Sequence, residues 1–288
     1  MGVTVGQRRS AVRDAADVLL LAIAGIVVLL LTIWLALRTG FGGRLDAEVI
    51  RSFRVERFNP GRINSLLQEI QVRTIFILTL IAMGVAALQR HWRAALALPL
   101  LVVGANQTTQ LLKLDFLTTV PIDPSLRVTL PSGHSTAAIS LAAAAIIAAP
   151  RVLRPIVCLL TGAIAGGAGL GTMAERWHRP ADVIAAVGVV LIWSAIALLI
   201  GAHWVDQPLV RAAGFDRAVG HSALATLGVA LGALVLHRLG MAPMDGSKAQ
   251  TLAYGSLIVV GVTIGLGLGV IAVVADRRIF RRTPGGES

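Results

Sequence analysis

Residues 183–205 read VIAAVGVVLIWSAIALLIGAHWV, with no Asp, Glu, Lys or Arg in the run. A helix needs roughly 20 apolar residues, within a range of about 17–25, to cross the hydrocarbon of a bilayer. Backbone in lipid must satisfy its own hydrogen bonds, which a helix does within one segment. Working outward, seven more stretches lack those four residue types: 18–37, 74–89, 94–112, 128–150, 155–174, 218–237 and 249–275. The eight hold 168 of the 288 residues. The shortest, 74–89, can borrow Val72 and its neighbours. No ten-residue segment alternates as a membrane β-barrel requires. The fold class expected is all-α, an integral membrane helical bundle.

Composition agrees. The chain is 56% hydrophobic and 14% charged, with mean hydropathy +0.78. Soluble domains carry about 25% charged residues, and disorder requires low hydrophobicity. Both classes are excluded. Cys158 is the only cysteine, so there is no intrachain disulfide and no cysteine metal cage. The first span is longer than a signal-peptide core and lacks a small-residue cleavage site after Leu37, so it is read as a retained anchor.

The net charge of +11 must be located before it is interpreted. Eight spans put both termini on one side, with 1–17, 90–93, 151–154, 206–217 and 276–288. The opposite side holds 38–73, 113–127, 175–182 and 238–248. Each side carries 13 Lys and Arg, but the terminal side is shorter and denser in them. The positive-inside rule then places the termini in the cytoplasm. Arg277, Arg278, Arg281 and Arg282 read as a topology signal and anionic-lipid contact, not as a nucleic-acid patch.

The long polar connection 38–73 contains the turn Asn59-Pro60-Gly61 and the periodic Ile63, Leu66, Leu67 and Ile70. It reads equally well as an interfacial helix over 62–72 or as a packed cap on the bundle. Glycines at 162–171 and at Gly261, Gly265 and Gly269 are spaced for close helix packing. His221 and His237 have no partner at metal spacing in the sequence.

Polar residues next to membrane spans are functional candidates, and one face collects several. Lys113 ends the third span. Pro131-Ser132-Gly133-His134 opens the fourth helix, and His178 and Asp182 precede the sixth. Free amides at a helix start attract anions, and Gly133 permits close approach of a phosphate. His178 and Asp182 are spaced i,i+4 and share a helix face. A carboxylate beside an imidazole fixes its tautomer and leaves the other ring nitrogen as a nucleophile. His134 is available as general acid and base. Taken singly, each has a plain reading as an N-cap, a turn or a helix-end ion pair. Their convergence on one face makes a phosphoryl-transfer set.

At these residues the sequence resembles the type-2 phosphatidic acid phosphatase superfamily, with motifs K-x6-R-P, P-S-G-H and S-R-x5-H-x3-D. The second is complete at 131–134, and the third is present as His178 and Asp182. The first is present as Lys113 and Pro121. TLPSGHST and WHRPADVIAA resemble the actinobacterial branch. The resemblance covers about 74–205. Val120 stands where the first motif has arginine, and Gly171-Thr172 where the third has Ser-Arg. Arg127 and Arg176 lie on the same side and are candidates to replace that charge, as is Arg179, though an anchoring role suits Arg179 slightly better.

The resemblance implies a six-helix phosphatase-like core over 1–205, with two additional transmembrane helices and a basic tail over 206–288, in one membrane domain. It implies that His178 attacks phosphorus, Asp182 orients it, and His134 protonates the leaving group and later activates water. Lys113, Ser132 and the Gly133 amide would hold the phosphoryl oxygens. The implied chemistry needs no metal and no cofactor. Substrates would be lipid phosphates or diphosphates: polyprenyl diphosphate, phosphatidylglycerophosphate or phosphatidic acid. The site would face the periplasm or the extracellular side. Two alternatives stand beside hydrolysis, a phosphotransferase and a catalytically impaired protein that binds lipid phosphate or acts as a scaffold. A transporter is less well supported, since no inverted repeat or broken helix pair is visible.

Overall fold

The computed structural model describes residues 5–53, 61–117, 129–201 and 214–278. Among the described residues the chain forms α1 (Val5–Arg38), α2 (Gly40–Arg51), α3 (Gly61–Gln68), α4 (Val72–Leu88), α5 (Trp92–Leu111), a π-helical turn (Leu112–Phe116), α6 (Gly133–Ala148), α7 (Arg154–Ala174), α8 (Pro180–Gly201), α9 (Gly214–Arg238) and α10 (Ser247–Arg278). No strand occurs among them. All eight charge-free stretches are mostly helical. Six of these helices are long and apolar enough to cross a membrane, while Val72–Leu88 and Gly133–Ala148 are shorter apolar helices.

The shortening of the fourth span has a local cause. The stretch 128–150 becomes helical only over its 16 residues from Gly133 to Ala148. Pro131 lies before the start. Pro150 follows Ala149, which takes the extended conformation a pre-proline residue prefers. Sixteen residues rise roughly 24 Å, less than the ~30 Å hydrocarbon thickness. α6 is therefore too short by itself to span the hydrocarbon from end to end.

α8 is the central helix, packed by α1, α5, α6 and α10, and its residues are nearly all buried. Small residues set the close approach of α1. A Cβ at Gly188 would stand 2.8 Å from the Leu29 amide nitrogen and 2.9 Å from the Gly25 carbonyl oxygen. Only glycine permits this crossing. α9 packs against both α7 and α10, where Gly162, Gly166, Gly261, Gly265 and Gly269 face it.

Loop contacts sort into two ends of the bundle. At one, Arg277 pairs with Asp17 at 2.9 Å. At that same end buried Arg154 pairs with Asp276, and its guanidinium also donates to the carbonyls of Ile146 and Ala149 at 2.9 Å each. Nε2 of His221 lies 3.7 Å from Asp276. The partner missed for His221 is thus an acid brought from α10, 55 positions away in the chain. At the other end, Phe53 bridges to Pro243, the Met244 amide donates to the Ser52 carbonyl at 2.6 Å, and Lys248 pairs with Glu48 at 3.0 Å.

The connection 38–73 contains more structure than its polarity suggested. Thr39 caps α2 by accepting from the Gly42 amide at 3.0 Å. The helix expected over 62–72 forms as α3, where Ile63 and Leu67 are buried, facing Gly171 of α7, and Leu66 is exposed. This is the packed cap of the two readings.

Candidate active site

Three helix ends build the site. Ser132 is the N-cap of α6, and its hydroxyl accepts from the Ser135 amide at 3.3 Å and from the Ser135 hydroxyl at 2.8 Å. Its own amide donates to the Asp182 carbonyl at 2.9 Å, which joins the start of α6 to the start of α8. Gly133 and His134 then open α6, both half-buried.

The turn between α7 and α8 carries the second part. Trp177 and His178 both donate their amides to the Thr172 carbonyl, at 2.9 and 3.1 Å. His178 is buried at 6% exposure and Asp182 at 2%. Nδ1 of His178 lies 3.1 Å from Oδ2 of Asp182. The same oxygen accepts from the Arg179 amide at 3.0 Å and from the Thr129 hydroxyl. Three donors fix this carboxylate, which leaves His178 with Nε2 as its free ring nitrogen.

The α5 end brings the third part. Lys113 lies in the π-helical turn, half-exposed and followed by the outward Leu114 and Phe116. Lys113 and His178 lie near enough to His134 to act on it electrostatically. The Trp177 ring packs obliquely on the His134 ring, with centroids 5.5 Å apart and planes at 47°.

Within this arrangement Lys113, Ser132, Gly133, His134, His178 and Asp182 stand at one end of the bundle. Arg127, Val120 and Pro121 lie outside the described residues. Arg176 has a different task from the phosphate contact expected of it. Its backbone takes φ of +56°, and its guanidinium donates to the carbonyls of Phe53 and Arg51 at the end of α2. The guanidinium is held by carbonyls that the end of a helix leaves without intrahelical donors. Thr172 does not replace the motif arginine either, since it is fully buried and its hydroxyl donates to the Gly169 carbonyl at 2.7 Å. Arg179 is buried at 7% exposure, against its reading as a headgroup anchor.

Residues 103–206 match the family model of the PAP2 superfamily. The match begins later than the resemblance from about residue 74 suggested, and it contains Lys113, the PSGH string, His178 and Asp182. No curated protein and no solved structure matches the chain. The matched residues run from within α5 through α8, so α1 to α4 and α9 and α10 flank them. The family association is with phosphatase-type hydrolysis of phosphoesters.

Sequence reasoning missed three residues at this end. Thr129 precedes the PSGH string and binds Asp182. Trp177, the residue before His178, packs its ring on His134. Asp46, in α2, accepts from the Ala181 amide at 3.1 Å. Nothing in the spacing of Asp46 announces a link to a turn 135 residues away.

Proposed function

We propose that the protein hydrolyses a lipid phosphate or diphosphate through a phosphohistidine on His178. The observation that carries this reading is the buried 3.1 Å contact of His178 Nδ1 with Asp182, beside the N-terminus of α6 and Lys113. With Asp182 charged, the ring proton sits on Nδ1 and the Nε2 lone pair is available for attack. Nε2 forms a bond to phosphorus while the phosphorus–oxygen bond to the leaving group breaks. His134, as general acid, gives that oxygen its proton. Water then attacks the phosphohistidine, His134 takes the water proton, and the phosphorus–nitrogen bond breaks. Phosphate and the free His178 ring result.

Amides at the start of α6 and the Lys113 ammonium would hold the phosphoryl oxygens as charge develops. Arg127 is the remaining candidate for the charge absent at Val120. Arg176 directs Nε and Nη2 to carbonyls at the end of α2, so a part for it in phosphate binding would rest on its remaining Nη1. The substrate classes are polyprenyl diphosphate, phosphatidylglycerophosphate and phosphatidic acid. The apolar helices that meet this site support a substrate with a lipid anchor. The terminal side is cytoplasmic and the site faces the periplasm or the outside, on the strength of the denser arginines at the terminal side.

A second reading has one observation in its favour. The Thr172 hydroxyl is committed to its own helix, so this position offers no anion clamp. A protein that binds lipid phosphate without turnover would result if Lys113 and the α6 amides were insufficient. Purified protein in detergent, incubated with each lipid class and EDTA beside His178→Ala, separates the two. Phosphate release that survives EDTA and vanishes in the variant supports the phosphatase. No release from any of the three classes favours the binding protein.

A further inference from the structure

Helix α2 grips the turn that carries His178 and Asp182 on both flanks. Before His178, the Arg176 guanidinium donates to the carbonyls at the C-terminal end of α2. After it, the Ala181 amide at the start of α8 donates to Oδ1 of Asp46. Asp46 is buried at 7% exposure, and its Oδ2 has no hydrogen-bond partner among the described residues. A plain helix cap explains Oδ1. Ser, Thr or Asn would serve that purpose without burying an acid. The groups facing this carboxyl are Asp182 and Arg179, with His178 bound to Asp182 beyond them.

We propose that Asp46 is a positioning residue of the site: by holding the Ala181 amide it fixes the first turn of α8, and with it the carboxylate of Asp182 and the ring of His178. The kinetic consequence rests on the phosphatase reading above, whereas the structural consequence rests on the contact of α2 with α8 alone. Asp182 is the residue after Ala181, so a shift of the helix start moves its carboxylate directly. Burial, then the charge of Asp182, push the Asp46 carboxyl up to about 7, opposed by the Ala181 amide and Arg179. Asp46 therefore changes charge near neutral pH. Its neutral form removes a repulsion from Asp182, and its charged form binds the Ala181 amide more strongly.

The test compares wild type, Asp46→Asn and Asp46→Ala in detergent. Asn keeps an oxygen for the Ala181 amide and cannot ionise. With the lipid substrate found for wild type, Asp46→Ala should lower kcat by up to about 100-fold with little change in KM, as for a misplaced catalytic group. Asp46→Asn should keep most of kcat and lose one ionisation near neutral pH from its profile. A role in folding alone would lower yield or Tm and leave kcat of the folded fraction and its pH profile unchanged. A second readout needs no turnover: the downfield proton resonance of the His178 Nδ1–H. It should be present in wild type and Asp46→Asn and lost in Asp46→Ala. If Asp46→Ala is not recovered folded, the Asp46→Asn pH profile and resonance decide. An unaltered profile, or a resonance missing from Asp46→Asn and present in wild type, overturns the inference. A resonance retained in folded Asp46→Ala overturns it whatever the lipid assays give. Loss of the resonance in Asp46→Ala together with an inactive wild type supports the inference and overturns the phosphatase reading.

Discussion

Oδ2 of Asp182 stands 3.1 Å from Nδ1 of His178, one helical turn earlier in the chain. The same oxygen accepts from the Arg179 amide, so the acid braces the turn as well as the ring. Asp182→Asn keeps an oxygen for the amide but no longer enforces the tautomer. The variant should fold and lose most of its phosphate release, by as much as about 10⁴ in kcat, as when the tautomer of an imidazole–carboxylate triad is no longer enforced. Steady-state release from detergent-solubilised lipid checks this. Wild-type turnover would reduce Asp182 to a structural role.

The pair Arg154 and Asp276 ties α10 to the junction of α6 and α7. Arg154 is fully buried. Asp276→Asn removes this counter-charge and should cost about 3–5 kcal/mol, as breaking a buried pair does. Replacing both, by Arg154→Met with Asp276→Leu, should restore most of that loss. Thermal unfolding in detergent measures both variants, and an unaffected Asp276→Asn would contradict the assignment.

Asp46 gives stability a pH dependence with a definite sign. Its carboxyl titrates at about 7 in the folded chain against an ordinary 3.8. The folded state therefore holds this proton more tightly than the unfolded state. The associated stabilisation is complete below about pH 4 and is lost as pH rises through about 7. Between about pH 4 and about pH 7, wild type should lose more Tm than Asp46→Asn does, and above about pH 7 the two profiles should run parallel. Tm profiles parallel over the lower range too would refute the raised value.

Gly188 is where α8 meets α1. A side chain there would collide with backbone of Leu29 and Gly25 rather than with a yielding side-chain tip. Gly188→Val should destabilise the bundle by about 1–3 kcal/mol, the usual range for overpacking. A Tm equal to that of wild type would mean that α1 does not pack in this way.

The helical architecture was legible because charge-free runs are a one-dimensional signal. The stretches 94–112 and 155–174 became α5 and α7 almost residue for residue. The ends were less legible where proline decides, as at Ala149 before Pro150. The His178–Asp182 pair was readable because i,i+4 spacing is local. The Asp46–Ala181 and Arg154–Asp276 contacts were not, because each joins helices far apart in sequence, 135 and 122 positions. Arg176 illustrates the remaining difficulty: charge on the correct face looked like phosphate capture, but its left-handed backbone turns it toward the end of α2.

The central claim is a covalent phosphoryl group on His178. Wild type and His134→Ala would be mixed with lipid phosphate, quenched in alkali to preserve phosphohistidine, digested and sequenced by mass spectrometry. Phosphate is expected on His178, accumulating in His134→Ala where the leaving group departs without a proton from His134 and hydrolysis is slowed. Phosphate release by wild type with an unmodified His178 in every quench, or with His178→Ala still active, would contradict it.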